Sequence, residues 1–192
     1  DAWKSVYLNY IETNTQIEDP EKGTHREIYK LLDLNEDGVP ELYINFGSTA
    51  GGDAILSYFN GEIVEQKMDN YGFRYIEGAN LFRDSGGHMD EYYDKIYTLE
   101  NGNFVLLYSG EYGAEDNSKV EYGDDGMPVY QYFWENEEVS SEEEYDRKLN
   151  EVYDTEKEVN IFLDAQYDSG RGRYVGNGLC DYQEITEAIE AY

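Results

Sequence analysis

The spacing of the apolar side chains changes twice along the chain, from a helical period to a strand period and back again. Between residues 1 and 13 the apolar positions recur every three or four residues, which predicts an amphipathic helix. Its apolar face consists of Trp3, Val6, Tyr7, Tyr10 and Ile11. From Ile28 onward the period is two, and it continues after the segment DLNEDGVPE at 33–41. The pattern therefore predicts a strand, a loop and a second strand.

The middle of the chain carries three further pairs of strand-like runs, each joined by Asn-Gly or Asp-Gly. They lie at 54–66, 95–112 and 121–134. These dipeptides between β-rich runs indicate tight hairpins, because both residues tolerate positive φ. Since hairpins outnumber helical crossovers, we expect an antiparallel meander of about six to eight strands.

The C-terminal part returns to the helical period and predicts two or three helices. A capping box at Ser140 or Ser141 with Glu143 or Glu144 begins the first, Thr155 with Glu158 caps the second, and Asp181 with Glu184 caps the last. Their inward residues are Tyr145, Leu149 and Val152, then Val159, Phe162 and Leu163, then Ile185, Ala188, Ile189 and Tyr192. Helices on both sides of a sheet region predict the α+β class, with residues 1–192 as a single domain.

Charge separates several functional classes. The chain has 43 acidic and 14 basic residues and a formal net charge of -29. Binding to nucleic acid or to anionic lipid requires a basic protein surface. We therefore expect neither nucleic acid nor anionic lipid as a partner. The 40% apolar content, with 21 tyrosines, distinguishes the chain from a disordered acidic tail. No apolar run is long enough to span a membrane, and the single cysteine allows no internal disulfide. A field of this sign attracts cations.

The segment at 33–41 has oxygen donors at its first, third, fifth, seventh and ninth positions, with a glycine at the sixth. EF-hand-type loops bind calcium with this spacing. The donors are Asp33, Asn35, Asp37, the peptide carbonyl of Val39, and Glu41, around Gly38. Calcium would relieve the repulsion among the three carboxylates, and the sharp turn suits a glycine with positive φ. Water or an acid from elsewhere in the fold would complete the shell.

Two features distinguish this segment from an EF-hand. The twelfth position is Ile44, where an EF-hand has a bidentate Glu, and a strand follows where an EF-hand has a helix. The alternative is a type I′ hairpin turn at Asp37-Gly38 with solvated acids around it. Magnesium suits the loop less well, because it retains its waters and demands octahedral geometry.

The loop resembles the D-x-[DN]-x-D-G-x-x-[DE] loop of integrin-type (FG-GAP) repeats, which binds calcium between two strands. The wider sequence, with KLLDLNEDGVPELYINFG, YFNGEIVE and IYTLENGNFVLLYSGEY, resembles exported proteins and lipoproteins of gut Firmicutes, many of them uncharacterised. That resemblance is loose over most of the chain and specific at 31–44. It implies export, a lipid-anchored or wall-associated location and no known enzymatic activity.

Other candidate chemistry is weaker. His88 lies among acids in DSGGHMDEYYD, but the spacing specifies no zinc or general-base site, and His25 has no such context. The segment at 168–178 contains Arg171 and Arg173 but lacks a phosphate-loop ending, so we expect a mobile loop. Paired carboxylates suit glycoside hydrolysis, yet so acidic a chain will form such pairs in any fold. Cys180 lacks the context of a nucleophile.

Six tyrosines fall in the predicted hairpins: Tyr92, Tyr93, Tyr108, Tyr112, Tyr130 and Tyr132. A tyrosine-rich sheet face suits contact with glycans or proteins, although tyrosine also fills half-exposed strand positions in many sheets. The sequence thus predicts a non-catalytic, exported cell-surface or lipoprotein domain with one structural calcium ion and a binding or scaffolding role. The alternatives are a tyrosine-rich glycan- or protein-binding module and a carboxylate-dependent hydrolase.

Overall fold

The computed structural model describes residues 2–14, 17–19, 24–25, 27–69, 72–161 and 165–192. The chain begins with helix α1 (Ala2–Asn14), followed by a ribbon of β1 (Ile17–Asp19) and β2 (Thr24–His25). A four-stranded antiparallel sheet comes next, formed by β3 (Ile28–Leu32), β4 (Glu41–Asn45), β5 (Asp53–Phe59) and β6 (Glu62–Met68) in chain order. A short 3-10 helix at Thr49–Gly51 precedes β5.

The second sheet has seven strands, six of which follow one another as a meander. These are β7 (Phe73–Ile76), β8 (Leu81–His88), β9 (Glu91–Glu100), β10 (Asn103–Gly113), β11 (Gln131–Trp134) and β12 (Glu137–Val139). The seventh, β13 (Glu158–Asn160), pairs antiparallel with β7 at the opposite edge from β12. The predicted α+β class and antiparallel meander are confirmed. About six to eight strands were predicted; in the described structure ten follow one another in chain order, four in one sheet and six in the other.

Two of the predicted C-terminal helices are present. Helix α2 (Glu142–Val152) begins at Ser141, whose hydroxyl accepts the Glu144 N–H at 3.3 Å. Helix α3 (Tyr182–Ala191) begins with a complete capping box between Asp181 and Glu184, both hydrogen bonds measuring 2.9 Å. Both caps agree with the sequence prediction.

The helix predicted from Thr155 is wrong. Thr155–Lys157 forms one 3-10 turn, after which Glu158 and Val159 enter β13. Pairing with the free edge of β7 and a Glu158–Arg83 ion pair of 2.8 Å explain the difference, because both are long-range contacts. The other residues predicted on that helix, Phe162 and Leu163, lie outside the described part of the chain.

The glycine-rich segment at 168–178 is also more ordered than predicted. It contains most of a small hairpin of β14 (Gln166–Asp168) and β15 (Arg173–Val175). The Asp168 carboxylate caps the turn by accepting the Gly170 N–H at 2.8 Å. This capped turn explains why the loop closes as a hairpin.

The Asn-Gly hairpins formed as predicted. Asn60-Gly61 joins β5 to β6, and Asn101-Gly102 joins β9 to β10, with positive φ at all four residues. The hairpin predicted over 121–134 is wrong: the Asp-Gly pair at 125–126 closes only a single bridge between Tyr122 and Pro128, and β11 pairs with β10 and β12 instead. The two Asn-Gly turns are set locally, which is why the sequence reveals them.

The two sheets share one apolar cluster, the inter-sheet cluster. It consists of Ile28, Leu32, Leu34, Tyr43, Ile55, Met68, Phe73, Tyr75, Phe82, Tyr97, Ile161 and Leu179. Strand β4 shows how alternation divides its side chains, since Tyr43 enters this cluster while Leu42 and Ile44 point the other way. The fold therefore buries both faces of the four-stranded sheet.

Helices cover the outer face of each sheet. Helices α1 and α3 pack on the four-stranded sheet in the helix-side cluster, which consists of Trp3, Tyr7, Ile11, Tyr29, Leu42, Ile44, Leu56, Ile185 and Ile189. Helix α2 packs on the seven-stranded sheet, with Ile76, Ile96, Trp134, Val139, Tyr145, Leu149 and Tyr153. The result is four layers: α1 with α3, the four-stranded sheet, the seven-stranded sheet, and α2. None of the helices within the described ranges is long and apolar enough to cross a membrane.

Candidate calcium loop

The predicted calcium loop connects β3 to β4, the first hairpin of the four-stranded sheet. It leaves β3 after Leu32 and enters β4 at Glu41. Leu34 belongs to the inter-sheet cluster, and Val39 packs against the helix-side cluster. The loop is therefore attached to the apolar packing on both sides of the sheet.

Side-chain oxygens of the loop turn inward and accept its backbone N–H groups. The Asp33 carboxylate accepts from Asp37 at 3.1 Å and from Gly38 at 3.0 Å, through different oxygens. The Asp37 carboxylate accepts from Val39 at 2.8 Å, and the Asn35 carbonyl oxygen accepts from Asp37 at 3.3 Å. The first, third and fifth positions thus lie within one small turn, as the spacing predicted.

The backbone excludes the type I′ alternative. A type I′ turn at Asp37-Gly38 needs positive φ at both residues. Positive φ occurs instead at Glu36 (57°) and Gly38 (80°). A Cβ at Gly38 would meet no atom within 4 Å, so the left-handed backbone, not lack of space, favours glycine here. The connection is a long loop closed by side chains, not a two-residue turn.

Glu41 is the unusual member of the set, because its carboxylate is buried. The residue is 2% exposed, and one oxygen accepts the Leu34 N–H at 3.0 Å. Burial raises the pKa of Glu41 to about 8, with smaller upward contributions from the Asp37 and Asp33 charges, while the Leu34 N–H opposes the shift. Among the described residues, no Lys or Arg forms an ion pair with Asp33, Asp37 or Glu41.

The chemical types of the donor atoms in the loop suit a hard cation such as calcium. Carboxylate, amide and peptide oxygens are the ligands that calcium prefers, and each carboxylate oxygen that accepts one N–H retains a further lone pair. The described part of the chain contains no group of three or more His, Cys, Asp or Glu side chains gathered as a metal site. The three predicted carboxylate ligands, Asp33, Asp37 and Glu41, are therefore not gathered as such a group, and the Glu41 carboxylate is turned toward Leu34. Asn35 and Val39 would supply the other protein oxygens.

The loop also acts on two tyrosines of the helical layer. Burial raises the pKa of Tyr7 on α1, and the charges of Glu41 and Asp37 raise it further. Tyr192, after α3, shows a pKa raised first by burial and then by Asp33, Glu41 and Asp37. The loop carboxylates thus add to the effect of burial on one tyrosine of each terminal helix region.

The other residues considered as candidates for catalysis or binding were Arg173, Cys180, His88 and His25. Arg173 pairs with Asp181 at 3.2 Å and with Glu184 at 2.8 Å, so it anchors the hairpin to α3. Cys180 bridges to Tyr29 through the backbone, and burial, assisted by Glu184, raises the pKa of its thiol. His88 ends β8 at a surface groove, and the His25 side chain lies outside the described part of the chain.

Two buried carboxylates that sequence analysis missed lie between the sheets. Asp53 begins β5 and is 1% exposed, and Asp84 on β8 is 4% exposed. Burial raises the pKa of Asp53 to about 7 and that of Asp84 to about 6. Neither residue lines the groove that contains His88. No local pattern marked them, because the chain is rich in acids throughout.

Three of the six predicted tyrosines form a ladder across three strands. Tyr92, Tyr112 and Tyr132 are cross-strand neighbours, with ring centroids 5.1 and 5.7 Å apart. Tyr145 of α2 packs edge-on against Tyr112 at 5.4 Å. Helix α2 therefore covers part of this face.

Comparisons of the chain with protein-family models, with curated proteins and with solved structures found no match. The case for a function consequently depends on the geometry of the loop and of the surfaces around it.

Proposed function

We propose that this chain is a non-catalytic domain displayed outside the cell, whose 33–41 loop binds one structural calcium ion. Its role would be binding or scaffolding at the cell surface. The observation that carries the proposal is the buried Glu41 carboxylate beside Asp33 and Asp37, none of them paired with a Lys or Arg among the described residues. A divalent cation would displace the proton that burial favours on Glu41, because a carboxylate binds a metal ion in its deprotonated form.

In this proposal the side chains of Asp33, Asn35 and Asp37, the Val39 carbonyl and Glu41 hold the ion. The hydrogen bonds among the first three already pre-arrange their oxygens. Binding would neutralise the repulsion that these carboxylates exert on one another. Because the loop contacts both the inter-sheet and helix-side clusters, the ion would stiffen the junction between them.

An extracellular location agrees with this chemistry. Calcium loops of extracellular modules bind with dissociation constants of roughly 10⁻⁴–10⁻³ M, which suits a site with few charged ligands. The resemblance of residues 31–44 to exported proteins supports the same location, including a lipid-anchored one.

The test compares two aspartates in matching turns. Asp37 and Asp125 each precede a glycine with positive φ and accept the N–H two residues later, at 2.8 and 3.0 Å. Asp37→Asn and Asp125→Asn both keep an oxygen for that hydrogen bond and both remove one charge. Thermal unfolding is followed with chelator and then with increasing calcium.

We expect calcium to raise the melting temperature of the wild type and of Asp125→Asn, but much less that of Asp37→Asn. At a hundredfold excess over the dissociation constant, the gain in unfolding free energy is roughly 2.7 kcal/mol. Magnesium at equal concentration should give a smaller rise. A wild-type midpoint that calcium does not move, or equal responses of the two variants, would remove the metal from the proposal.

A tyrosine-rich glycan- or protein-binding module is the second candidate, favoured by the ladder of Tyr92, Tyr112 and Tyr132. Glycan-array binding that is lost in Tyr92→Ala would support it. The third candidate, a carboxylate-dependent hydrolase, requires two acids converging in an open cleft. Asp53 and Asp84 are buried between the sheets instead, which favours the non-catalytic proposal.

A further inference from the structure

A groove of about 760 Å³ opens at the end of the seven-stranded sheet, and none of residues 33–41 lines it. Its volume lies in the range of ordinary ligand pockets. One wall comes from β8, β9, β10 and β11, and the other includes Ala50 and Asp69, from the segments that flank β5 and β6. The groove thus lies between one end of the seven-stranded sheet and residues that flank two strands of the four-stranded sheet.

Strand register places acidic and aromatic side chains side by side in this wall. Glu111 lies opposite Tyr93 on one neighbouring strand and opposite Phe133 on the other. Glu91 lies two residues from Tyr93 and therefore on the same face of β9. All four residues line the groove.

The groove carries four carboxylates, those of Asp69, Glu91, Glu111 and Glu115, and no Lys or Arg among its lining residues. None of the four forms an ion pair with a described residue. Among the described residues, the one side-chain hydrogen bond to these carboxylates comes from the neutral Asn117 amide, which donates to Glu91 at 2.9 Å. A concave site lined by charges of one sign concentrates counter-ions.

The aromatic side chains of the groove indicate which kind of cation would bind there. The Tyr93 ring already receives an ammonium, since the Lys95 Nζ lies 4.7 Å from its centroid. Lys95 also lies directly opposite the buried Asp84 in the register of β8 and β9. Aromatic faces next to carboxylates favour organic cations, which gain both cation–π and charge contacts.

We propose that this groove binds the ammonium or guanidinium groups of a basic ligand, namely the lysine and arginine side chains of a polypeptide. An anionic ligand would be repelled by the four carboxylates, and a neutral sugar would gain nothing from their charge. A free polyamine carries the same ammonium chemistry, so the experiment separates the two sources. The inference concerns a different site from the calcium loop and does not depend on it.

The experiment titrates the full chain with a hexalysine peptide while amide chemical shifts are recorded, at low salt and with calcium present. We expect the largest shifts at Tyr93, Glu111 and Phe133, and binding that weakens as salt is added. Spermidine forms a second arm. Equal affinity for spermidine would identify free amines as the source, whereas tighter binding of hexalysine would identify a polypeptide.

A charge-matched pair of variants tests the location. The groove triple removes three exposed charges from the groove by combining Glu91→Gln, Glu111→Gln and Glu115→Gln. The control triple removes three exposed charges elsewhere by combining Glu12→Gln, Glu62→Gln and Glu190→Gln. We expect the groove triple to weaken hexalysine binding by about tenfold and the control triple by less than about twofold. Folding of both is checked by circular dichroism.

Equal weakening in the two triples would overturn the proposal, because general attraction to an acidic protein would explain the binding. Absence of binding by hexalysine and spermidine would overturn it as well. Asp37→Asn should bind hexalysine as tightly as the wild type, so that failure of the calcium proposal and failure of the groove proposal remain distinguishable.

Discussion

Asp53 predicts an unusual pH dependence for an acidic protein. Its carboxylate is 1% exposed and accepts a hydrogen bond from the Tyr43 hydroxyl at 3.0 Å. Burial raises its pKa from 3.8 to about 7, Asp84 raises it further, and the Tyr43 hydroxyl, the Phe73 N–H and Arg74 oppose the shift. Folding therefore favours the protonated form of Asp53.

This preference for the protonated form determines whether the free energy of unfolding rises or falls with pH. A group with a raised pKa in the folded state contributes most stability below its unfolded pKa, and the contribution is lost as the pH rises through the folded value. For Asp53 the window runs from about pH 4 to about pH 7. Integration between pH 5 and pH 8 gives a loss of about 2.5 kcal/mol from this one residue.

The assay is urea unfolding at pH 5 and pH 8, in chelator, for the wild type and Asp53→Asn. Tryptophan fluorescence reports on the packing of the helices on both sides of the molecule, because Trp3 lies in the helix-side cluster and Trp134 packs with α2. Asparagine keeps an acceptor for the Tyr43 hydroxyl but cannot ionise. Any fixed cost of the new amide cancels when each protein is compared with itself at the two pH values.

We expect the unfolding free energy of Asp53→Asn to fall by about 2.5 kcal/mol less than that of the wild type between pH 5 and pH 8. Asp146→Asn, on the exposed side of α2, is the control for loss of one charge. If Asp53→Asn and the wild type show the same pH dependence, Asp53 is ionised in the folded protein at pH 5 and the reasoning from burial is refuted.

Two further predictions concern stability. Arg83→Met removes a buried guanidinium that pairs with Asp94 at 2.8 Å, and we expect it to cost about 3–5 kcal/mol in urea unfolding, because Asp94 remains buried. A loss below about 1 kcal/mol would show that water replaces the guanidinium. Gly52→Ala should destabilise more than Gly126→Ala: both positions have positive φ, but a Cβ at Gly52 would collide with the Met68 carbonyl, whereas one at Gly126 meets no atom within 4 Å. Equal changes in melting temperature would contradict the collision.

The local elements of the fold follow from the sequence. The three-four spacing in α1 and the capping box of α3 each involve residues within a few positions of one another. The Asn-Gly turns at 60–61 and 101–102 need only the positive φ that their own residues tolerate. Such features are visible in one sequence because no distant partner is needed to form them.

The helix predicted from Thr155 is absent because contacts with distant parts of the chain decide the structure of that segment. Glu158 and Val159 have a helical spacing with their neighbours, but the edge of β7 and the Arg83 guanidinium offer them a strand and an ion pair. Both partners lie more than seventy positions away in the sequence, as the 75-residue separation of Arg83 and Glu158 shows. Long-range pairing overrides a local helical preference.

For the candidate site, local spacing is enough to indicate which oxygens could surround a cation. Asp33, Asn35, Asp37, Val39 and Glu41 follow the positions that a calcium loop uses. Long-range packing buries Glu41, whereas Asp37 is exposed and Asp33, Asn35 and Val39 are half-buried, and the local spacing indicates none of this. Burial depends on helices and strands from both ends of the chain, and desolvation, which spacing does not encode, changes the charge that a carboxylate carries.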